Sequence, residues 1–191
     1  MNKIVDVTDI DIFYISFDEP NMEENWADLK SKCPWAKRTH GVYGSDAAHK
    51  ACAEASDTER FISVDGDNIV DPAFFDQIIN FSEADVNLEN SVISWCGKNS
   101  INGLVYGNGG IKCWPVEYVK NMKTHEIAED EGSQVDFCWD LNYIQMNDAF
   151  SLVVNNDTPY QAYRAGFREG VKMSLDRGYK VDPDNFEKSL H

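Results

Sequence analysis

Apolar residues gather in short runs separated by polar turns, and these runs alternate with stretches of helical spacing. The first run, Asp11-Ile12-Phe13-Tyr14-Ile15-Ser16, reads as a buried strand and stops at Phe17-Asp18-Glu19-Pro20-Asn21, where Pro and Asn mark a loop. A helix is expected around 25–30 and a second strand over 37–42. Ser45 is the expected N-cap of a helix through Ala47, Ala48, Ala51, Cys52 and Ala55, small residues suited to close packing on a sheet. Arg60-Phe61-Ile62-Ser63-Val64 is a strand by composition and ends abruptly in Asp65-Gly66-Asp67-Asn68. Asp71 as N-cap with Pro72 at the first position opens another helix.

The second half is less regular. Strands over 91–96 and 103–106 flank an Asn/Gly-rich turn, and Gly107-Asn108-Gly109-Gly110 is a loop. A short helix is expected over 117–122, an acidic segment over 126–132, and two further helices over 136–146 and 159–175. Alternating strands and helices predict one α/β domain over 1–191, built on an open, mostly parallel sheet flanked by helices, with ligands beyond the carboxyl ends of its strands.

Charge and cysteines narrow the partners. The net charge of -16 is spread along the chain and makes the average surface a poor match for DNA or anionic lipid. A local basic cluster, Lys30, Lys32, Lys37, Arg38 and His40, runs against that average. No apolar run approaches the roughly 18 residues that span a bilayer, and the start lacks the apolar core of a signal peptide. A cytoplasmic protein without a membrane partner is expected. The five cysteines are odd in number and form no CxxC pair, so they read as reduced and buried rather than as zinc ligands.

The chemistry concentrates at FISVDGDN, where two carboxylates stand two apart as a strand emerges into a turn. Hard cations such as Mg²⁺ and Mn²⁺ take oxygen ligands and commonly share them between protein carboxylates and a diphosphate. An acidic surface turn is the plain alternative, and the apolar strand directly before the triplet favours the metal. Together VYGSDAAHKACAEASDTERFISVDGDN resembles the middle of a GT-A glycosyltransferase, and ENWADLKSKCPWAKRTHGV, FISVDGDN and VYGNGGIKCWP resemble glycosyltransferase-like proteins of large tailed bacteriophages. The likeness covers about the first two-thirds of the chain.

The resemblance implies a GT-A, Rossmann-like fold with a nucleotide-sugar half over about 1–90 and an acceptor half over about 91–191. It implies a nucleoside diphosphate sugar donor, UDP-linked by preference, held with Mn²⁺ or Mg²⁺ at Asp65 and Asp67. His49 and Lys50 match helix positions facing the nucleotide, and Ser16, Phe17 and Asp18 stand where base and ribose are held. The family's acidic pair in the acceptor half has no clear match. Asp140 lies nearest to it, one helical turn from Asp136 if 135–146 is helical, and either could deprotonate an acceptor hydroxyl. For Asp136, a carboxylate interacting with a helix dipole is an equal reading.

Gly109 and Gly110 would let backbone approach a ligand, beside the sugar if the likeness holds, and Trp114 could stack on an acceptor ring or sit in the core. Tyr160, Arg164, Arg168 and Lys172 are spaced by four, so a helix aligns three cations that suit phosphate, while Tyr163, Phe167 and Val171 should face the core. Bacteriophage relatives of this kind decorate hydroxymethylated pyrimidines, which makes such DNA one candidate acceptor. The net acidity points instead to a saccharide or protein. A nucleotidyltransferase of similar sheet would carry a glycine-rich, basic loop after the first strand, and FDEPN is acidic and glycine-free. A non-catalytic module keeping the fold is the third reading, and the intact DxD disfavours it.

Overall fold

The computed structural model describes residues 4–82, 84–122, 124, 126, 142–173, 175–176 and 179–180, with side chains as far as Val171. The apolar runs become strands of one sheet. In chain order the elements are β1 (Ile4–Asp6), β2 (Asp11–Ser16), α1 (Met22–Lys32), β3 (Lys37–His40), α2 (Ser45–Ala55), β4 (Arg60–Asp65), β5 (Asn68–Val70) and β6 (Ile78–Asn80). There follow β7 (Ser91–Asn99), β8 (Val105–Tyr106), β9 (Ile111–Pro115), α3 (Val116–Asn121), β10 (Asn142–Val153), α4 (Pro159–Met173), β11 (Leu175–Asp176) and β12 (Tyr179–Lys180). Asp71 caps the 3-10 turn Pro72–Asp76 by accepting from the Ala73 N–H.

The main sheet has the order β3-β2-β4-β9-β7-β10-β5, with β8 on β7. It is α/β as expected but mixed, which corrects the mostly parallel expectation. β2 lies parallel to β3 and β4, and β7 parallel to β10. β9 runs antiparallel to both β4 and β7, β8 antiparallel to β7, and β5 antiparallel to β10. The reason is connection length: 100–110 hold no helix between β7 and β9, and a parallel return needs a crossover of about a dozen residues or more, usually helical. Because β9 enters between β4 and β7, the two halves of the chain share one sheet.

Both faces of the central strands are covered, which is why β4 is buried at every position from Arg60 to Val64. On one face Ile12, Tyr14, Ile62, Val64, Ile93, Trp95, Ile111 and Cys113 pack with Leu29 of α1 and Phe74. On the other, Phe13, Phe61, Val92 and Trp114 pack with Cys52 and Ala53 of α2 and Val119 of α3. Trp114 is therefore core, as its second reading had it. Arg60 enters the first face and is buried there, donating to the carbonyls of Leu88, Ser91 and Cys113. The described cysteines, Cys33, Cys52, Cys96 and Cys113, are buried and free.

Three further expectations are corrected. Residues 142–146 belong to β10 and not to a helix, because Ile144 and Met146, two apart, turn the same side toward the core. Ser45 is the first residue of α2, with Gly44 before it as the cap, and the N–H groups of Ser45 and Asp46 donate to the Glu126 carboxylate at 2.9 Å each. The apolar stripe of α4 does not enter the core: Tyr163, Phe167 and Val171 are 67%, 62% and 44% exposed. Among the described residues no helix is long and apolar enough to cross a membrane.

Candidate functional site

Two parallel strands set the site. Ile15 of β2 is in register with Asp65 of β4, so the loops leaving both strands emerge side by side at the carboxyl edge. The backbone of Asp65-Gly66-Asp67 is pinned on three sides. The Gly66 carbonyl accepts from Tyr14 Oη at 2.6 Å and Asn25 Nδ2 at 3.0 Å. The Asp65 N–H donates to Gly110 O at 3.0 Å, and the Asp67 carbonyl accepts from the Val154 N–H at 2.7 Å. The turn is thus held by the protein's own hydrogen bonds, the condition for precise placement of two carboxylates.

Gly66 is favoured by proximity: a Cβ there would lie 2.8 Å from the Glu19 carboxylate and 3.0 Å from Ile15 O. Gly109 and Gly110 serve the same end. A Cβ on Gly109 would meet Gly97 N at 2.5 Å, and one on Gly110 would meet the Asn68 side chain, so the loop presses directly on β7 and on the strand after the turn. The predicted pocket wall is a backing for Asp65-Gly66-Asp67.

The electrostatics follow from crowding. Asp67 is half-buried, and its carboxyl is pushed up to about 7 by burial and then by the Asp65 charge, with Glu19 adding to the rise; the hydrogen bond from Asn68 Nδ2 at 2.6 Å and the Arg168 charge oppose it. Tyr106 stands close by, its phenol raised to about 12 by burial and by the Asp67, Glu169 and Asp65 charges. Burial, followed by the Glu19 charge, holds the Tyr14 phenol well above its ordinary range.

The remaining predicted residues fall around this pair. Ser16 is buried, its Oγ 3.1 Å from Arg38 Nε and from His40 Nδ1. Phe17 is exposed with its ring edge against Tyr43, and Asp18 pairs with Arg164 at 3.3 Å across to α4. Arg168 is the α4 cation that acts on Asp67. His49 is buried against Trp114, with Nδ1 2.8 Å from Ser45 O, and desolvation lowers its basicity. Lys50 pairs with Asp46 at 2.9 Å. Asp136 and Asp140 lie outside the described residues, and Lys172 lies beyond the described side chains. Sequence reasoning named Glu19 and Tyr106 only as members of the segments 16–19 and 106–110, and gave Lys112 no role.

The donor set suits a hard divalent cation: two carboxylate side chains with raised mutual repulsion, and among the described residues no third metal-ligating side chain grouped with them. Two protein oxygens, with diphosphate and water completing the shell, is a usual arrangement for Mg²⁺. A shallow depression lined by Lys32, Val70, Asp71, Phe150 and Leu152 lies along β5 and β10 and contains none of the predicted site residues.

No family model matches the chain, and no curated protein matches it. Among solved structures it is similar to a glycosyltransferase involved in the glycosylation of the major capsid of PBCV-1, at 14% identity and a TM-score of 0.39, covering 84% of this chain and 99% of that one. It is also similar to HddC from Yersinia pseudotuberculosis, at 11% identity and a TM-score of 0.35, covering 85% of this chain and 80% of that one. Likeness at this level transfers no function to the chain, and the site stands on its own geometry.

Proposed function

We propose that the chain is a glycosyltransferase that binds a nucleoside diphosphate sugar, UDP-linked by preference, with Mg²⁺ or Mn²⁺ at Asp65 and Asp67. The observation that carries this reading is the pair of coupled carboxylates on a pinned turn at the carboxyl end of β4, with Asp67 pushed up to about 7 by burial and by Asp65. Such a pair is costly to ionise alone and gains most from a cation. A bound cation would supply charge stabilisation for the departing diphosphate. Arg164 and Arg168 project from α4 over the same edge and contact that diphosphate's oxygens, Arg164 exchanging Asp18 for phosphate. Ser16, Phe17 and Asp18 receive base and ribose, and His49 and Lys50 line the α2 side. Gly109 and Gly110 keep the turn in place. Asp140, with Asp136 second, is the candidate base for the acceptor hydroxyl.

For the acceptor we favour a saccharide over hydroxymethylated DNA. Lys32 pairs with Asp28, Lys37 with Asp11 and Asp57, and Arg38 with Glu23, while Lys30 donates to backbone carbonyls, so most of the Lys30–His40 cluster is already engaged by the protein itself. The test is titration calorimetry of UDP with and without Mn²⁺, for the wild type and for Asp67→Ala. Binding strengthened by Mn²⁺ in the wild type and indifferent to it in the variant is the expected result. Equal metal dependence in both would remove Asp67 from the site.

A further inference from the structure

Lys112 of β9 has no role in the reading above. It pairs in register with Ser63 of β4 and Ser94 of β7, so its side chain shares their face of the sheet, the face that also carries Asp65. Only 9% of its surface is exposed. An ammonium group has three N–H donors, and burying it is costly unless it is paired. Lys112 Nζ donates to the Gly109 carbonyl at 2.6 Å, its one hydrogen-bond acceptor among the described residues, and no carboxylate there forms an ion pair with it. Its polar neighbours do not neutralise it. Ser63 Oγ accepts from Trp114 Nε1, and Ser94 Oγ reaches only toward Asn108. His49, on which both the Lys112 and Asp65 charges act, is itself driven toward its neutral form by burial.

The Asp65 charge reaches two surroundings. It acts on Asp67 and Tyr106, and it acts on His49 together with the charge of Lys112. Lys112 is a buried cation with one carbonyl acceptor among the described residues. We propose that Lys112 receives a carboxylate carried by the transferred sugar, so that the donor is an acidic, uronate-type nucleotide sugar. The inference rests on the donor-binding reading above. It assigns the sugar because a cation at Asp65 and Asp67, with the α4 arginines, would meet the diphosphate's charge, whereas a single carboxylate matches the Lys112 N–H groups that no described residue accepts.

The test compares UDP, UDP-glucose and UDP-glucuronic acid, each with Mn²⁺, by calorimetry on the wild type and on Lys112→Met, with melting temperature recorded for both. In the wild type UDP-glucuronic acid binds at least about tenfold more tightly than UDP-glucose, as expected for a charge-assisted contact in a buried site. Lys112→Met, which keeps the stem and drops the charge, brings the acidic donor down to the neutral one's affinity, with UDP on the same variant as reference. Should Lys112→Met fail to fold, the wild-type comparison decides alone. Equal wild-type affinity for the two sugar donors, with UDP bound, overturns the role of Lys112 and leaves the donor reading intact. No metal-dependent binding of UDP overturns both.

Discussion

Asp67 is the residue on which the site's energetics turn, and its pH dependence has a definite sign. Burial and the Asp65 charge raise its folded pKa from 3.8 to about 7, so between those values the folded state keeps a proton that the unfolded chain has released. Stability of the ligand-free protein therefore falls as pH rises through that window. Asp67→Asn removes the penalty: its melting temperature should exceed the wild type's near pH 8, by about 2–4 °C for each kcal/mol relieved, and the difference should close toward pH 4. A thermal series from pH 4 to 8 checks this, and a flat difference would contradict the assignment. Asp18 gives a complementary case. Its ion pair with Arg164 is exposed and contributes about 0–1 kcal/mol, so Asp18→Asn should weaken UDP binding while leaving the melting temperature almost unchanged.

At the scale of elements, the glycine loop and β4 are linked through contacts that tolerate no extra atom. Gly109→Ala places a methyl against the Gly97 and Cys96 backbone, at 2.5 and 2.8 Å, and the strands must separate to admit it. A loss of about 1–3 kcal/mol in unfolding free energy, read as a lower denaturant midpoint at unchanged m-value, is expected, together with weaker metal-dependent UDP binding, because Gly110 O also holds the Asp65 N–H. Arg60→Ala tests the other end of the same strand. It leaves the buried carbonyls of Leu88, Ser91 and Cys113 without that donor, and the cost should be about 2 kcal/mol or more with little change in UDP affinity, since the residue lies five positions from Asp65 at the opposite end of β4.

For the molecule as a whole, charge separates the two acceptors. The net charge of -16 opposes a phosphate backbone, and the internal pairing of Lys32, Lys37 and Arg38 already engages most of the Lys30–His40 cluster. With a saccharide acceptor, sugar transfer should change little between 50 and 200 mM salt. DNA binding would instead weaken with a log-log slope of roughly -0.9 per phosphate contact. Transfer to hydroxymethylated DNA that falls steeply with salt and collapses in Lys37→Glu/Arg38→Glu would reverse the preference for a saccharide.

The sequence by itself determined the strands β2, β4 and β7, the helices α1, α2 and α4, and the place of Asp65 and Asp67 at a strand end. These are local matters, since apolar run length, helical spacing and turn residues act within a few neighbours along the chain. Tertiary structure decided what depends on partners distant in sequence. β10 is a strand because β7 and β5 supply its hydrogen bonds, and β9 runs antiparallel because its connection is too short to cross over. Trp114 is core, and the aromatic stripe of α4 is exposed, because burial is set by what packs opposite and not by spacing alone. Lys112 looks like an ordinary polar position in a five-residue strand. Its chemistry exists only because β4 and β7 flank it in the sheet, so that the side chain is buried while its ammonium group keeps one carbonyl as acceptor among the described residues.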